Sequence, residues 1–544
     1  MLDLLIRGAT VYDGSGGKEW LGDVGIANGT IVQTGKVKDG AARVIDARGL
    51  ALMPGIVDVH THYDAQATWD RTLSPSPALG VTTAVIGNCG FGIAPCPAPQ
   101  RQTVLRNLSV VEGMDLAALE SGVRWEAESF GGYLEQLRRI GPYANVAVLA
   151  QHSTIRSAVM GDEASTRATP SEEQLSKMQA LVREAMEAGA IGFASSFSPN
   201  HAGWQGRPMP STIASDEELK RLTGELKGKG IFVMATGPRA TPEFMESISA
   251  QNGRPSFMVT VLTMYNDAEP AKALTYYERC AAARARGHEV YIHTSCQPLS
   301  FDFTLAEPYL LYSHDAFDRI KAAKPEERAA IYKDPAFRAR FRENLKNPKQ
   351  GILFYGDWSK IELESRPISE LAQEKGSDPI NFFFDLPLDR QLIGKLFQNN
   401  DAGVAPLLKH EQGVVALSDA GAHLIYFCDA GFGLHFLQHW VRETRTFTLA
   451  EGVRKLTSDP ARKYRIPGRG EIKAGAAADL VLFDPSSVGV SGLKRQKDLP
   501  GGGTRMLRDP VGVHGVWVNG EQVHDGRDYI AMDGGPGQVL TEFN

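Results

Sequence analysis

Between residues 56 and 430 the chain keeps returning to one motif, a short apolar run followed by a helix-forming stretch. The runs "VTTAVIGNC" (81–89), "NVAVLAQH" (145–152), "AIGFASS" (190–196), "IFVMAT" (231–236), "FMVTVL" (257–262), "EVYIHT" (289–294) and "GVVALSD" (413–419) have strand length. Two of the intervening stretches, "SEEQLSKMQALVREAMEAG" (171–189) and "SDEELKRLTGELKGKG" (215–230), open on Ser with acidic neighbours and close on Gly. Those are N-cap and C-cap signals. Strands that alternate with helices belong to a parallel sheet, because parallel neighbours need a crossover connection. So many units in succession predict a (β/α)8 barrel, with an open doubly wound sheet as the alternative.

The two ends read differently. "LLIRGATVYD", "DVGIANGTIVQTG" and "ARVIDARGLALMPG" in the first 55 residues, and "ADLVLFDP" and "GVHGVWVNGEQVHDG" near the other end, are strand-like runs broken by Gly, Asn and Asp. They predict one small β-sandwich formed by both termini. The expected organisation is therefore β-sandwich 1–55, barrel 56–430, a helical return segment 431–470 and the rest of the sandwich 471–544. The charged stretch 313–350 reads as exposed helices inserted into one βα loop, and the Gly-rich "DLPGGGTRMLRDP" (498–510) as a surface loop.

Composition narrows the setting. A net charge of −6 points to no nucleic-acid groove and no anionic membrane surface as partner. Five scattered cysteines do not make a disulfide framework, and no apolar stretch approaches the roughly 18 residues of a membrane span. A cytoplasmic protein is expected, with a homo-oligomer compatible with this surface.

Barrel enzymes place reactive groups at the C-terminal ends of their strands. The first run ends in "GIVDVHTHYDAQ" (55–66), where His60 and His62 alternate onto one face. Cys89 ends the second run, His152 the third, His293 a later one and Asp419 the last. Imidazole, thiolate and carboxylate together suit zinc, and a site of two histidines and a carboxylate also accepts other divalent metals. Each residue has a bland counterpart: a packed histidine pair, a buried thiol, an Asp that caps the next helix.

"ALMPGIVDVHTHYDAQ" resembles the opening of the amidohydrolase superfamily. "ALGVTTAVIGNCGFGIAP", "QHSTIRSAVMG", "EAGAIGFASSFSP", "PMPSTIASDEEL", "VALSDAGAHL" and "GEIKAGAAADLVLFD" resemble, more narrowly, its N-acyl-D-amino-acid deacylase branch. That resemblance implies His60 and His62 as metal ligands, Cys89 as a third or bridging ligand, and Asp419 as ligand and general base and acid. It implies a metal-dependent amidohydrolase in which a metal-bound hydroxide cleaves the C–N amide bond of a small N-acylated, amino-acid-like compound. A cyclic-amide (hydantoinase-like) hydrolase and a ligand-binding pseudoenzyme are the alternatives.

The chain departs from that branch at strands five and six. "GIFVMATGPRA" and "PSFMVTVLTMYN" lack the branch's two further histidines and the lysine that holds the substrate carboxylate. One metal per chain is therefore expected. His293, Tyr291, His152, Arg156 and His423 are candidates for metal or substrate contact; Arg156 reads equally as a surface ion pair, and His423 as a group orienting Asp419.

Overall fold

The computed structural model describes all residues except 200, 260–262, 313, 347–353, 423–428 and 544. Eight strands lie parallel and neighbour one another in sequence order: β1 (Ile56–Asp58), β2 (Val81–Ile86), β3 (Asn145–Gln151), β4 (Gly192–Ser196), β5 (Ile231–Ala235), β6 (Ser256–Val259), β7 (Val290–Thr294) and β8 (Gly413–Val415). All are buried along their length, as expected of strands whose outer faces are covered by helices. The ring closes just beyond β1 and β8. Thr61 and Ala420 form a parallel bridge, His62 N donates to Ala420 O at 2.8 Å, and Asp419 N donates to His60 O at 3.2 Å. The fold is a (β/α)8 barrel.

Local chemistry explains the crossovers. Helix Glu172–Ala188 carries a full capping box from Ser171 and Gln174, and Gly189 ends it in the left-handed region. Helix Asp216–Thr223 is capped by Ser215, yet its exit runs through a 3-10 turn to a left-handed Lys227 rather than stopping on a glycine.

The terminal segments build one eight-stranded assembly. Leu480–Phe483 inserts antiparallel beside Ala51–Pro54, and Val513–Val518 pairs with its other edge. Strand Leu2–Val11 pairs with Trp20–Ala27 on one side; on the other it meets Ala41–Asp46 and then Ala51–Pro54, which lets one strand serve two layers. Leu4, Ile6, Val24, Ile26, Leu52, Leu480, Leu482 and Trp517 share the core of this small β-sandwich. The Gly-rich stretch 498–510 is not wholly loop: Arg505–Leu507 pairs with Lys494–Gln496 as a hairpin.

The chain divides into two compact units, one of Met1–Met264, Ala271–Gln297 and Ala405–Asn544, the other of Tyr265–Pro270 and Pro298–Val404. The second unit contains an antiparallel four-stranded sheet and an aromatic core. Its charged helices are not simply exposed: around Arg328–Lys333 and Pro335–Lys346, Phe317, Tyr332, Phe337 and Phe341 pack against Phe384. Charges spread along these helices hide one aromatic per turn, enough to give the insertion its own core.

Candidate metal centre

The chain continues extended from β1, so side chains alternate. Thr61 turns outward, its hydroxyl donating to Val85 O at 2.8 Å, while His60 and His62 turn inward. After β2, Cys89 sits in a tight turn with φ +55°, and the adjacent Asn88 amide ties that turn to Thr61 O and Val85 O. After β8, Leu417 and Asp419 also have positive φ, +81° and +48°. Left-handed backbone at residues with a Cβ costs about 1–2 kcal/mol each and persists where the surroundings over-determine it. Gly421 permits the approach, since a Cβ there would lie 2.6 Å from His62 O.

These turns converge four donors. One ligand atom from each of His60, His62 and Cys89 lies within 4.8 Å of the others. Cys89 Sγ is 3.7 Å from His60 Nε2, and Asp419 Oδ1 is 3.2 Å from His60 Nε2 and 3.6 Å from His62 Nε2. The set fits a divalent metal: two imidazoles present Nε2 to one point, joined by a thiol and a carboxylate. The histidine side chains are 1% and 3% exposed whereas Asp419 is 13% exposed, so Asp419 forms the side open to an incoming molecule.

A second circle stands behind the donors. Glu112, at the C-terminal end of helix Arg101–Val111, brings Oε1 to 3.4 Å from His62 Nδ1. His293 places Nδ1 3.0 Å from His60 Nδ1 and Nε2 2.6 Å from the Tyr464 hydroxyl. Asp58 accepts from the His60 backbone N–H. Sequence reasoning missed Glu112 and Tyr464. Glu112 follows the "SVVEG" end of a helix, where an acid carries no periodic signal, and Tyr464 reaches the barrel from the segment after β8.

Burial dominates the electrostatics. It pushes the Cys89 thiol up to about 11, against the pull of His62, and raises Asp58 to about 7, opposed by bonds from Ser418 and the His60 backbone. Burial also works against charge on His62, but Glu112, Asp419 and Cys89 outweigh it and hold that imidazole well above its ordinary value. Burial lowers His293 to about 3, which makes it a neutral ring. A bound cation inverts this order for the thiol, because coordination deprotonates it.

Three of the remaining candidates have polar partners of their own. His152 is fully buried between Ser195 Oγ (2.8 Å from Nδ1) and Glu218 (2.9 Å from Nε2). Arg156 is likewise fully buried; it pairs with the same Glu218 and donates to Arg167 O at 2.6 Å. It makes a buried ion pair, not a surface one. Tyr291, two residues before His293 and hence deeper in the barrel, donates to Glu289 at 3.0 Å and stacks on Phe257. His423 lies outside the described residues. Among the described residues, His60, His62 and Cys89 are the one group of three or more histidines, cysteines or acids with metal spacing.

Comparison with known proteins adds a family and relatives. The amidohydrolase family matches residues 43–524. An N-acyl-D-aspartate deacylase of Alcaligenes xylosoxydans xylosoxydans is 28% identical, with 99% of this chain and 95% of that protein covered. A D-aminoacylase of the same organism is 27% identical over 98% and 96%. The crystal structure of an N-acyl-D-glutamate deacylase from Bordetella bronchiseptica, complexed with zinc and a phosphonate mimic of the tetrahedral intermediate, superposes with a TM-score of 0.68 at 24% identity, covering 99% of this chain and all of that one.

Proposed function

The chain belongs to the amidohydrolase family and is a hydrolase of carbon–nitrogen bonds other than peptide bonds; on that premise we propose a zinc enzyme that deacylates a small N-acyl amino-acid-like compound at one metal per chain. The observation that carries this reading is the convergence of His60 Nε2, His62 Nε2, Cys89 Sγ and the Asp419 carboxylate at the closing seam of the barrel.

His60 and His62 hold the metal, Cys89 is its thiolate ligand, and Asp419 is both ligand and proton carrier. A metal held there makes a water more acidic and polarises the amide carbonyl. Asp419 takes the proton as the water oxygen bonds to the carbonyl carbon, then gives it to the nitrogen as the C–N bond breaks, leaving a carboxylic acid and an amine. Its partial exposure suits that exchange, since both water and leaving group reach it from the open side.

We assign the chemistry to residues 56–430, with 1–55 and 471–544 as the β-sandwich and 431–470 as the helical return. His152 and Arg156 support the scaffold in this reading, and Tyr291 lines the barrel below the site. Two relatives matched along nearly the whole chain are an N-acyl-D-aspartate deacylase and a D-aminoacylase, which favours an open-chain amide over a cyclic one and an enzyme over a silent binding protein.

Elemental analysis with a panel of N-acyl D- and L-amino acids tests the proposal. Expected are about one zinc per chain, lost in a His60→Ala/His62→Ala double variant, and turnover of at least one N-acyl substrate. Two metals per chain would overturn the single-metal part. A protein that holds no zinc and releases no amine would overturn the whole.

A further inference from the structure

The two histidines of the centre are backed in different ways. His62 has a carboxylate, Glu112, behind its Nδ1, whereas His60 has another imidazole, which in turn ends on a phenol. We propose that His293 is a positioning residue and not a metal ligand: it accepts a hydrogen bond from His60 and passes its own proton's bond to Tyr464, fixing the tautomer in which His60 offers Nε2 to the metal. The inference rests on the functional reading above, because it takes Nε2 of His60 as the coordinating atom.

Neutral imidazole carries one N–H and one lone pair. A metal held between His60 Nε2, Asp419 (3.2 Å away) and Cys89 Sγ (3.7 Å away) would need the His60 lone pair on that side, which leaves the ring proton on Nδ1. The partner 3.0 Å from Nδ1 is His293 Nδ1, which must then accept. His293 consequently holds its proton on Nε2 and donates it to the Tyr464 oxygen 2.6 Å away. The chain His60→His293→Tyr464 has a single consistent polarity, and reversing it would turn an N–H toward the metal.

The same distances argue against His293 as a third imidazole ligand. Its contact is with the back edge of the His60 ring, opposite the donors, and its other nitrogen is committed to Tyr464. Phe257 packs against both the His293 and Tyr464 rings, at centroid separations of 5.9 Å and 4.2 Å, which holds the chain in place. The side chains come from β7 and from helix Ser458–Lys463 and its end, so the packing of that helix beneath the barrel is read out in the orientation of a ligand.

The test compares His293→Leu, which removes the acceptor, with His293→Asn, whose side-chain oxygen can still accept from His60. Zinc affinity of the full chain is measured by competition with a chromophoric chelator, and zinc K-edge X-ray absorption counts imidazoles in the loaded parent. Expected are two imidazoles in the parent, affinity about 10–100-fold weaker in the Leu variant, and recovery of most of that loss in the Asn variant. Three imidazoles in the parent, or equal loss in both variants, would make His293 a ligand and overturn the proposal. A Leu variant with parental affinity would overturn it while leaving the functional reading intact. A parent that binds no zinc would overturn both.

Discussion

The two sides of the barrel mouth are built from the same kind of strand end, yet they differ in what they can do. At the seam, β1, β2 and β8 bring together two imidazoles and a thiol, with the Asp419 carboxylate beside both imidazoles. Across the ring, β5 ends in Ala235, Thr236 and Gly237 and carries no donor of that kind. Its backbone is instead stitched sideways: Thr236 N donates to Val259 O and Phe197 N to Ala235 O, both at 2.8 Å. A Cβ on Gly237 would stand 2.4 Å from Phe197 O. At Gly237, main chain occupies the room that a side chain would need.

Breaking the seam gives the largest expected effect. Asp419→Asn removes the proton carrier and should lower kcat about 10²–10⁴-fold with folding retained, checked by steady-state kinetics alongside circular dichroism. An Asn variant with near-parental kcat would remove Asp419 from the acid–base role. Breaking the buried cluster of His152, Arg156 and Glu218 should do the opposite. Glu218→Ala leaves Arg156 buried without its carboxylate and should cost about 3–5 kcal/mol in urea unfolding while zinc content stays unchanged. Loss of zinc in that variant would tie the His152 cluster to the metal.

The far side can be challenged directly. Gly237→His adds a donor at the end of β5, but overpacking against Phe197 should destabilise the fold by about 1–3 kcal/mol with no second metal gained, read by calorimetry and elemental analysis. A stable variant with two metals would show the space to be open. On the near side, Glu112→Gln should weaken zinc binding about 10-fold, since the carboxylate behind His62 is lost but its shape is kept. The smallest effect concerns acid. Burial lowers the His152 pKa, with Glu218 opposing, so below about pH 6.5 the unfolded chain takes a proton that the folded one refuses. Stability should fall as pH drops from there, by at most about 1.4 kcal/mol per unit from this residue, and His152→Gln should flatten that slope in denaturation at pH 7.5 and 5.5.

The barrel and the composite β-sandwich were legible because both rest on periodicity and turn chemistry, which short windows of sequence carry. His60, His62, Cys89 and Asp419 were legible for a related reason: each stands at the end of an apolar run, and the fold brings run ends together. His152 shares that position and turns away, since one buried acid, Glu218, captures it together with Arg156 one helical turn on. Nothing local distinguishes an end that turns inward from one that a neighbouring helix claims. Glu112, Tyr464 and the His60–His293 contact depend on tertiary packing between segments far apart in the sequence, and they have no local signature. The aromatic core of Pro298–Val404 was hidden by the charge surrounding each ring.

The bridge between Thr61 and Ala420 also sets a schedule. A ribosome delivers His60, His62 and Cys89 early and Asp419 late, and the strand Leu480–Phe483 that completes the opening β-segments later still. With Asp419 as the proton carrier proposed above, a nascent chain would hold three donors for a long stretch of its synthesis before that group arrives. Chains cut short of the last barrel strand should therefore show no amide hydrolysis, which an assay of a truncation ending before Gly413 checks.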